Sequence, residues 1–578
     1  MRKPITPPLL PPPPDTASRF ARVLRPLFTL RLPSVPLPKS ADGGRSRSGR
    51  PQRSEKVGLA ALVVLSLLVL AGCGGGGGNT SGKQGKTPSR PAVSGAAESA
   101  PPGQGMARDG VYYFNAFSEP FRLRVEMIRV ERFREWSVLR FAVTYPDTEK
   151  VFTNPFATWV LDHSFGAISL VDTVGRKQYS SLRKPGAHDG FGSQTNPIFY
   201  YHPQTRYEGH VYFPAVPAGV QKMTVRAPGH PGVFTGVPVV QGATPPPATL
   251  PQPPENAGPT ATFGANAPTG KVETWINDLY DGVESEVRSS TSSSTEEKIG
   301  LRADVLFDFD KATLTAQAKQ VLDQVAAETK AKADPAKPPI TVEGHTDGRG
   351  TADYNRRLSR QRADVVLKEL QTRLGSAYRY RAEAKGATEP IAKEGGPDDE
   401  QARRKNRRVE ISYQIKQQVT TGGTATATTS PGGSTAPPAG FRRDGAPVAE
   451  RTGQIDGQRH RLRVLPLYRD GAYLAVPFEL TLLGNAERRK MLGSPFESQP
   501  PRGDFGSFSV LDPNSKTTYQ SVRVGGEGSF SYLEGSAGPP TPNTPFRSYI
   551  YVAAPPAGVR GVTLNAGAFG QIPDLPIP

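Results

Sequence analysis

Three blocks of this chain occur twice, in the same order. RLRV stands at 122–125 and again at 461–464. FGAISLVDTVGRKQYSSLR at 165–183 matches FGSFSVLDPNSKTTYQSVR at 505–523, and PAGVQKMTV at 217–225 matches PAGVRGVTL at 556–564. The offset stays at 339–340 residues, so one domain is present twice with other material between the copies. Both copies read as β. Leu139, Phe141, Val143 and Tyr145 alternate with polar or small residues, as do Leu474, Val476, Phe478, Leu480 and Leu482. Period-two alternation places one strand face in a core and the other in solvent. Asp172 and Asp512 each open a polar turn at matching positions. Each copy is expected to be an all-β, immunoglobulin-like antiparallel sandwich. The recurrence of Tyr179 with Arg183, and of Tyr519 with Arg523, reads as structural.

Composition supports division into several bodies. The 578 residues include 61 Gly and 59 Pro, which mark linkers, and the 36% hydrophobic content suffices for several small cores. GATPPPATLPQPPENAGPTATFGANAPTG at 242–270 reads as a semi-rigid Pro-rich linker. TTGGTATATTSPGGSTAPPAG at 420–440 reads as a looser one. The expected order is a basic extension with signal peptide at 1–72, a flexible tether at 73–107, and a β repeat at 108–241. The 242–270 linker, a central domain at 271–416, a linker at 417–445 and the second β repeat at 446–578 follow.

The net charge of +18 suggests nucleic acid only until it is located. Residues 1–56 carry 12 Lys/Arg against 3 Asp/Glu, a net of +9, and residues 57–72 carry none. The remaining +9 is spread over 506 residues without an RNA-binding motif, zinc finger or basic zipper, so nucleic acid is not an expected partner. The single cysteine, Cys73, excludes an intramolecular disulfide and ends the apolar run VGLAALVVLSLLVLAGC, which follows Arg50, Arg53 and Lys56. That is a charged n-region and an export-length h-region, too short for a comfortable span of ~20 residues. It reads either as a secretory or anchoring segment that happens to end in Cys, or as a lipoprotein signal. Leu70-Ala71-Gly72-Cys73 resembles a bacterial lipobox. The resemblance implies cleavage before Cys73, a diacylglyceryl group on its sulfur and an acyl chain on its new amine. At ~0.8 kcal/mol per buried CH₂, two or three chains hold a protein to a membrane almost permanently. The expected location is the extracytoplasmic cell envelope. It is the outer membrane if the cell has one, because Gly74 does not resemble an inner-membrane retention signal, and otherwise the outer face of the cell membrane.

The central segment alternates strand and helix. LRADVLFDFDK reads as a strand ending in a polar turn. Ala318, Val321, Leu322, Val325 and Ala326 mark one face of a helix from Thr315 to about Lys330, and PITVEGHT reads as a short buried strand. Leu358, Val365, Val366, Leu370 and Leu374 mark a second helix from Ala352 to Leu374, and YRYRAEAKG and RRVEISYQI are the last strands. The expected result is an α+β domain of order βαβαββ, with both helices on one side of the sheet. From the residues alone, Asp347 in GHTDG could cap the second helix, and Arg362 could be one more solvated arginine beside Arg356, Arg357 and Arg360.

VLFDFDKATLT, VEGHTDGRGTADYNRRLSRQRADVV, AKGATEPIA and RRKNRRVEI resemble, in order and spacing, the OmpA-like C-terminal domain, a family that includes peptidoglycan-associated lipoprotein and the MotB periplasmic domain. The resemblance covers about a fifth of the chain. It implies noncovalent binding of the peptidoglycan stem peptide through the free end of diaminopimelate, a zwitterion. Asp347 would take the ammonium and Arg362 the carboxylate, with Asn355 in the same pocket, Thr346 beside Asp347, and Arg407 of the Asn-Arg-Arg signature supporting the floor. Guanidinium is a planar fork that matches a carboxylate, and an ionised Asp only accepts, so the pair complements the ligand. The segment AKADPAKPPI is longer than usual for the family, and KEGGPDDEQARRKNRR lacks the common Gly-Arg pair ahead of Asn406.

His345 is expected to stabilise the turn, with no metal or cofactor, since no other His, Cys or paired carboxylate lies at ligand spacing in its vicinity. No nucleophile–base pair or glycosidase-like acid pair stands out, so no enzymatic activity is expected. A MotB-like stator role needs an acid in a retained membrane helix, and residues 57–72 have none. An alternative to wall tethering is a surface scaffold or adhesin whose β domains bind a protein partner. The tripeptide RGD at 502–504 has no counterpart in the first copy, where Asp162-His163-Ser164 occupies the position, and is not expected to carry adhesion.

Overall fold

The computed structural model describes residues 106–112, 121–147, 151–152, 156, 163–195, 200–229, 232–253, 258–396, 399–416, 436–455, 457–484, 505–526, 530–535 and 541–578. The apolar run, Cys73, residues 73–105 of the expected 73–107 tether and the RGD tripeptide lie outside the described residues, and Met106 and Ala107 open the strand Met106–Tyr112. No described helix is long and apolar enough to cross a membrane.

The central sheet begins with the hairpin Arg288–Ser292 and Glu296–Arg302 and continues through Arg408–Gln414 and Ile340–His345 to Tyr380–Gly386. All neighbours are antiparallel except the last pair. Ile299, Leu301, Val342, Val409, Ile411 and Tyr413 point to one face, where helices Ala316–Lys332 and Ala352–Leu374 cover them. Thr315 and Thr351 start those helices by accepting from Ala318 N at 3.1 Å and Tyr354 N at 3.3 Å. Under the first helix, buried Lys332 meets fully buried Glu297 at 2.9 Å, and Tyr413 donates to the same carboxylate. Gly344 lets strand and helix approach closely: a Cβ there would lie 2.7 Å from the carbonyl carbon of Ser359.

The expected strand at 301–311 is not one. The strand stops at Arg302, and Ala303–Leu306 make one helical turn. Its two apolar sides serve different elements, since Leu301 completes the sheet while Ala303 and Leu306 pack beneath the helices. A further helix, Asp399–Asn406, precedes the last strand.

Four strands of one β-rich flank have counterparts in the other. Ser169–Asp172 and Lys177–Ser180 match Ser509–Asp512 and Thr517–Val524, and Arg206–Pro214 and Lys222–Arg226 match Phe546–Ala553 and Gly561–Asn565. Even the left-handed residue of the shared turn recurs, with Arg176 at φ 57° and Lys516 at φ 53°. Asp172 and Asp512 order these turns by accepting from Val174 N and Gly175 N, and from Asn514 N and the Ser515 hydroxyl. Trp136–Thr144 and Tyr473–Leu482 are buried on both faces, not on one.

The second faces are covered mainly by residues of the flanks themselves, with a part from segments that composition alone marks as linkers. Within the Pro-rich stretch, Thr260–Thr262 pairs with Arg206–Pro214, Gly264–Asn266 pairs with Gly192–Gln194, and Thr249–Leu250 pairs with Gly264–Asn266. Prolines set the bends, and short runs without proline supply the backbone donors. Ala439 is buried between the flanks, in a cluster with Val171, Val233, Tyr473 and Tyr551. At its centre Asp470, 0% exposed, accepts from Thr173 and Thr224 of the first flank, from Ala439 N of the linker and from Tyr551 of the second flank.

One strand joins all three parts. Ile276–Glu284 pairs through Ile276–Asp278 with Lys177–Tyr179, through Leu279–Glu284 with Thr518–Val524, and with Arg288–Ser292 of the central sheet. Its Asp281 meets Arg176 at 2.5 Å, and both are buried. Arg176 also donates to the carbonyls of Ser292 and Ser293.

Candidate functional site

Asp347 stands where the strand Ile340–His345 gives way to the loop before helix Ala352–Leu374. It is not the helix cap, a role that falls to Thr351. Its Oδ1 accepts from Arg349 N at 3.2 Å, and its Oδ2 accepts from Arg407 Nη1 at 2.8 Å. Thr346 is buried and fixes the turn by donating to the Asp347 carbonyl. Asn355 donates through Nδ2 to the carbonyls of Arg349 at 2.9 Å and Asp347 at 3.5 Å, so its amide holds the loop in shape.

Arg362 sits on the second helix and is 5% exposed. Nε donates to the Lys311 carbonyl at 3.0 Å, and the guanidinium carbon lies 5.2 Å from the Phe307 ring centre. Among the described residues no carboxylate reaches ion-pair distance, and neither Nη atom has a hydrogen-bond partner, although Arg362 is flanked by charge. Burial lowers its pKa, opposed chiefly by Asp304 and then Asp310. The guanidinium is thus gripped at its stem with the fork unengaged.

Arg407 ties the cluster together. It holds both oxygens of Asp304 at 2.9 and 2.8 Å, Glu400 at 2.8 Å and Asp347 at 2.8 Å. Those bonds, Asp304 first, raise its pKa. It is the direct partner of the expected ammonium-binding residue, not only a floor beneath it. Asp310, at φ 56°, accepts from the Tyr354 hydroxyl at the rim, and Phe309 beside it is 97% exposed. Asn406 fastens the opposite rim through Ile391 N, Ala392 N and Glu394, and Glu394 accepts from Gly348 N. Glu400 also meets Arg403 at 3.0 Å and Asp304 meets Arg404 at 3.7 Å, so the four acids Asp304, Asp310, Asp347 and Glu400 stand among four arginines.

Asp304, Phe307, Lys311, Glu394 and Glu400 were not among the expected site residues. Asp304, Phe307 and Lys311 lie in LRADVLFDFDK, but reading that block as a strand ending in a polar turn hid the helical turn that aims them.

The OmpA family model matches residues 306–405. The peptidoglycan-associated lipoprotein of Pseudomonas putida is 31% identical over 165 residues, spanning 27% of this chain and 82% of that protein. The chain belongs to the OmpA family. Outer membrane protein A of Bordetella avium is 41% identical over 114 residues, 20% of this chain and 56% of that protein. Probable lipoprotein YiaD of Escherichia coli is 36% identical over 124 residues, 22% of this chain and 54% of that protein. The chain thus spans about half the length of several OmpA-family relatives that it matches. The crystal structure of the peptidoglycan-associated lipoprotein from Burkholderia pseudomallei is 30% identical, covers 19% of this chain and 88% of its own, and gives a TM-score of 0.16. The OmpA-family part contains Asp347, Arg362, Asn355 and Thr346 within the matched range and Arg407 just beyond it.

On the helix-free face of the same sheet, Glu343, His345 and Glu410 bring ligand atoms within 4.8 Å of one another. This corrects the expectation that His345 has no carboxylates at ligand spacing. Glu343 is two residues away on the same strand face, and Glu410 comes from the neighbouring strand. Burial and then Arg408 hold the His345 pKa down at about 3, so the ring is neutral.

Proposed function

We propose that this protein binds peptidoglycan noncovalently through the diaminopimelate of the stem peptide and tethers the cell wall to a membrane through a lipid on Cys73. The observation that carries the reading is the Arg362 guanidinium, buried and held at Nε and over Phe307, with neither Nη atom partnered among the described residues. A ligand carboxylate would complete that fork with two charge-assisted bonds. A ligand ammonium would go to Asp347, whose carboxylate has about four lone-pair sites and uses two. The unused lone pairs of Asp347 suit the ammonium, and the open fork of Arg362 suits the carboxylate. A lysine-type stem offers the amine alone and leaves Arg362 desolvated without a partner.

The names of the relatives from Pseudomonas putida and Escherichia coli, both lipoproteins, support an envelope location. The lipid anchor rests on the Leu-Ala-Gly-Cys sequence, and mass spectrometry of the mature N-terminus tests it. We read the flanks as immunoglobulin-like sandwiches that act as spacers, on the strength of their matching strands and turns. The reading assigns binding and no chemical step.

The test is a pull-down of the purified protein on sacculi. Asp347→Ala and Arg362→Ala should each abolish retention on diaminopimelate-type sacculi, and the parent protein should bind lysine-type sacculi poorly. Full retention by both folded variants sinks the assignment.

A further inference from the structure

The helix-free face of the central sheet carries a group that wall binding does not use. Glu343 and Glu410 sit directly opposite each other on antiparallel strands. Like charges in that register repel and destabilise a sheet unless something lies between them. His345 is on the same face, two residues from Glu343. It is 1% exposed, and neither ring nitrogen has a hydrogen-bond partner. Its Nε2 lies 4.0 Å from Glu410 Oε2. A buried neutral imidazole has one bare lone pair and one N–H, and leaving both unmet is costly.

We infer that Glu343, His345 and Glu410 form a site for a divalent cation of the zinc type. One imidazole nitrogen and two carboxylate oxygens are a three-ligand set that leaves a fourth position for water. The imidazole argues against magnesium and calcium, which take oxygen ligands. The support for the ligands is already built. Arg408 Nε holds Glu410 Oε1 at 2.6 Å, and Lys385 holds Glu343 Oε1 at 3.1 Å. Each contact orients a carboxylate through one oxygen, as outer partners do at metal centres. Four carboxylates around the site are matched by four cations, so it is the two bare imidazole nitrogens, and not net charge, that call for an ion. Lys385 also meets Glu383 at 3.4 Å and Glu389 at 3.0 Å. Lys298, 3.9 Å from Glu410, and Arg381, paired with Glu383, stand at the edge. Ligand atoms now within 4.8 Å of one another would draw in by up to about 1.5 Å to form bonds of about 2.0–2.2 Å. Rotation of the two glutamate side chains covers that distance without moving the strands.

The test uses the full-length protein, stripped with a chelator and titrated with zinc against a competing chromophoric chelator. One zinc per chain is expected. Glu343→Gln and Glu410→Gln should each weaken binding at least about 100-fold, more than the ~10–100-fold loss expected from removing a supporting partner. X-ray absorption on the zinc-loaded parent protein depends on no variant and should report one imidazole in a shell of nitrogen and oxygen only. Failure of the parent protein to take up zinc, unchanged affinity in both folded variants, or a shell containing sulfur or lacking imidazole overturns the assignment.

Discussion

Gly344→Ala should weaken wall binding without touching either charged residue that we assign to it. A Cβ at this position would lie 2.7 Å from the Ser359 carbonyl carbon and 3.0 Å from its Cα, with the carbonyl oxygen closer still. Carbon atoms pack at about 3.5–4.0 Å and the nearer carbonyl oxygen must recede too, so strand and helix must separate by about 1.0–1.3 Å. The obstacle is helix backbone, which cannot rotate away. Overpacking of this kind costs about 1–3 kcal/mol of stability. The separation matters because Asp347 lies three residues beyond Gly344 and Arg362 lies three beyond Ser359. Widening the gap by that distance removes the fit of one ligand charge to its partner. A charge-assisted hydrogen bond is worth about 1.5–3 kcal/mol, so affinity for sacculi should fall roughly ten- to hundredfold. Equilibrium pull-down on sacculi gives the affinity, and urea denaturation confirms the fold. A folded Gly344→Ala protein with parental affinity would refute the idea that strand–helix spacing sets the separation of the two charges.

Asp281→Ala strands the buried Arg176 charge and should cost about 3–5 kcal/mol, read as a lower urea midpoint. Combining it with Arg176→Met should cost less than the sum of the two single changes, because the pair then goes together. Lys332→Met leaves fully buried Glu297 without its cation and should cost a similar amount by the same assay. Buried His210 has its pKa lowered from 6.5 to about 4, by burial first and then by Arg140. The unfolded chain therefore binds the extra proton. The stability from neutral His210 is complete above about pH 6.5 and is lost as pH falls toward 4, to a total of about 3 kcal/mol. The difference in denaturation between the parent and His210→Phe across that range isolates the effect.

What local pattern encodes, the sequence made readable. Apolar spacing marked helix Ala352–Leu374 at both ends, and the matching blocks fold into the same turn in both flanks, each with a left-handed residue that the sequence alone did not show. The site was readable at Asp347 and Arg362 because both lie in one continuous motif. Arg407 reaches Asp347 from 60 residues away, and Glu410 reaches His345 across a strand pairing that no spacing in the chain announces. The helical turn Ala303–Leu306 was missed because four residues are too few to show a period. Pro-rich composition concealed short strands at 249–250, 260–262 and 264–266. Their order comes from pairing with a distant edge and not from any intrinsic preference.

The strand Ile276–Glu284 has a mechanical consequence. Displacing the central part from either flank means breaking a ladder of backbone hydrogen bonds and exposing Arg176 and Asp281, not uncoiling a slack connector. The distance from Asp347 and Arg362 to the flanks is therefore a fixed dimension of the molecule. A pull on the central part reaches both flanks at once through nine residues.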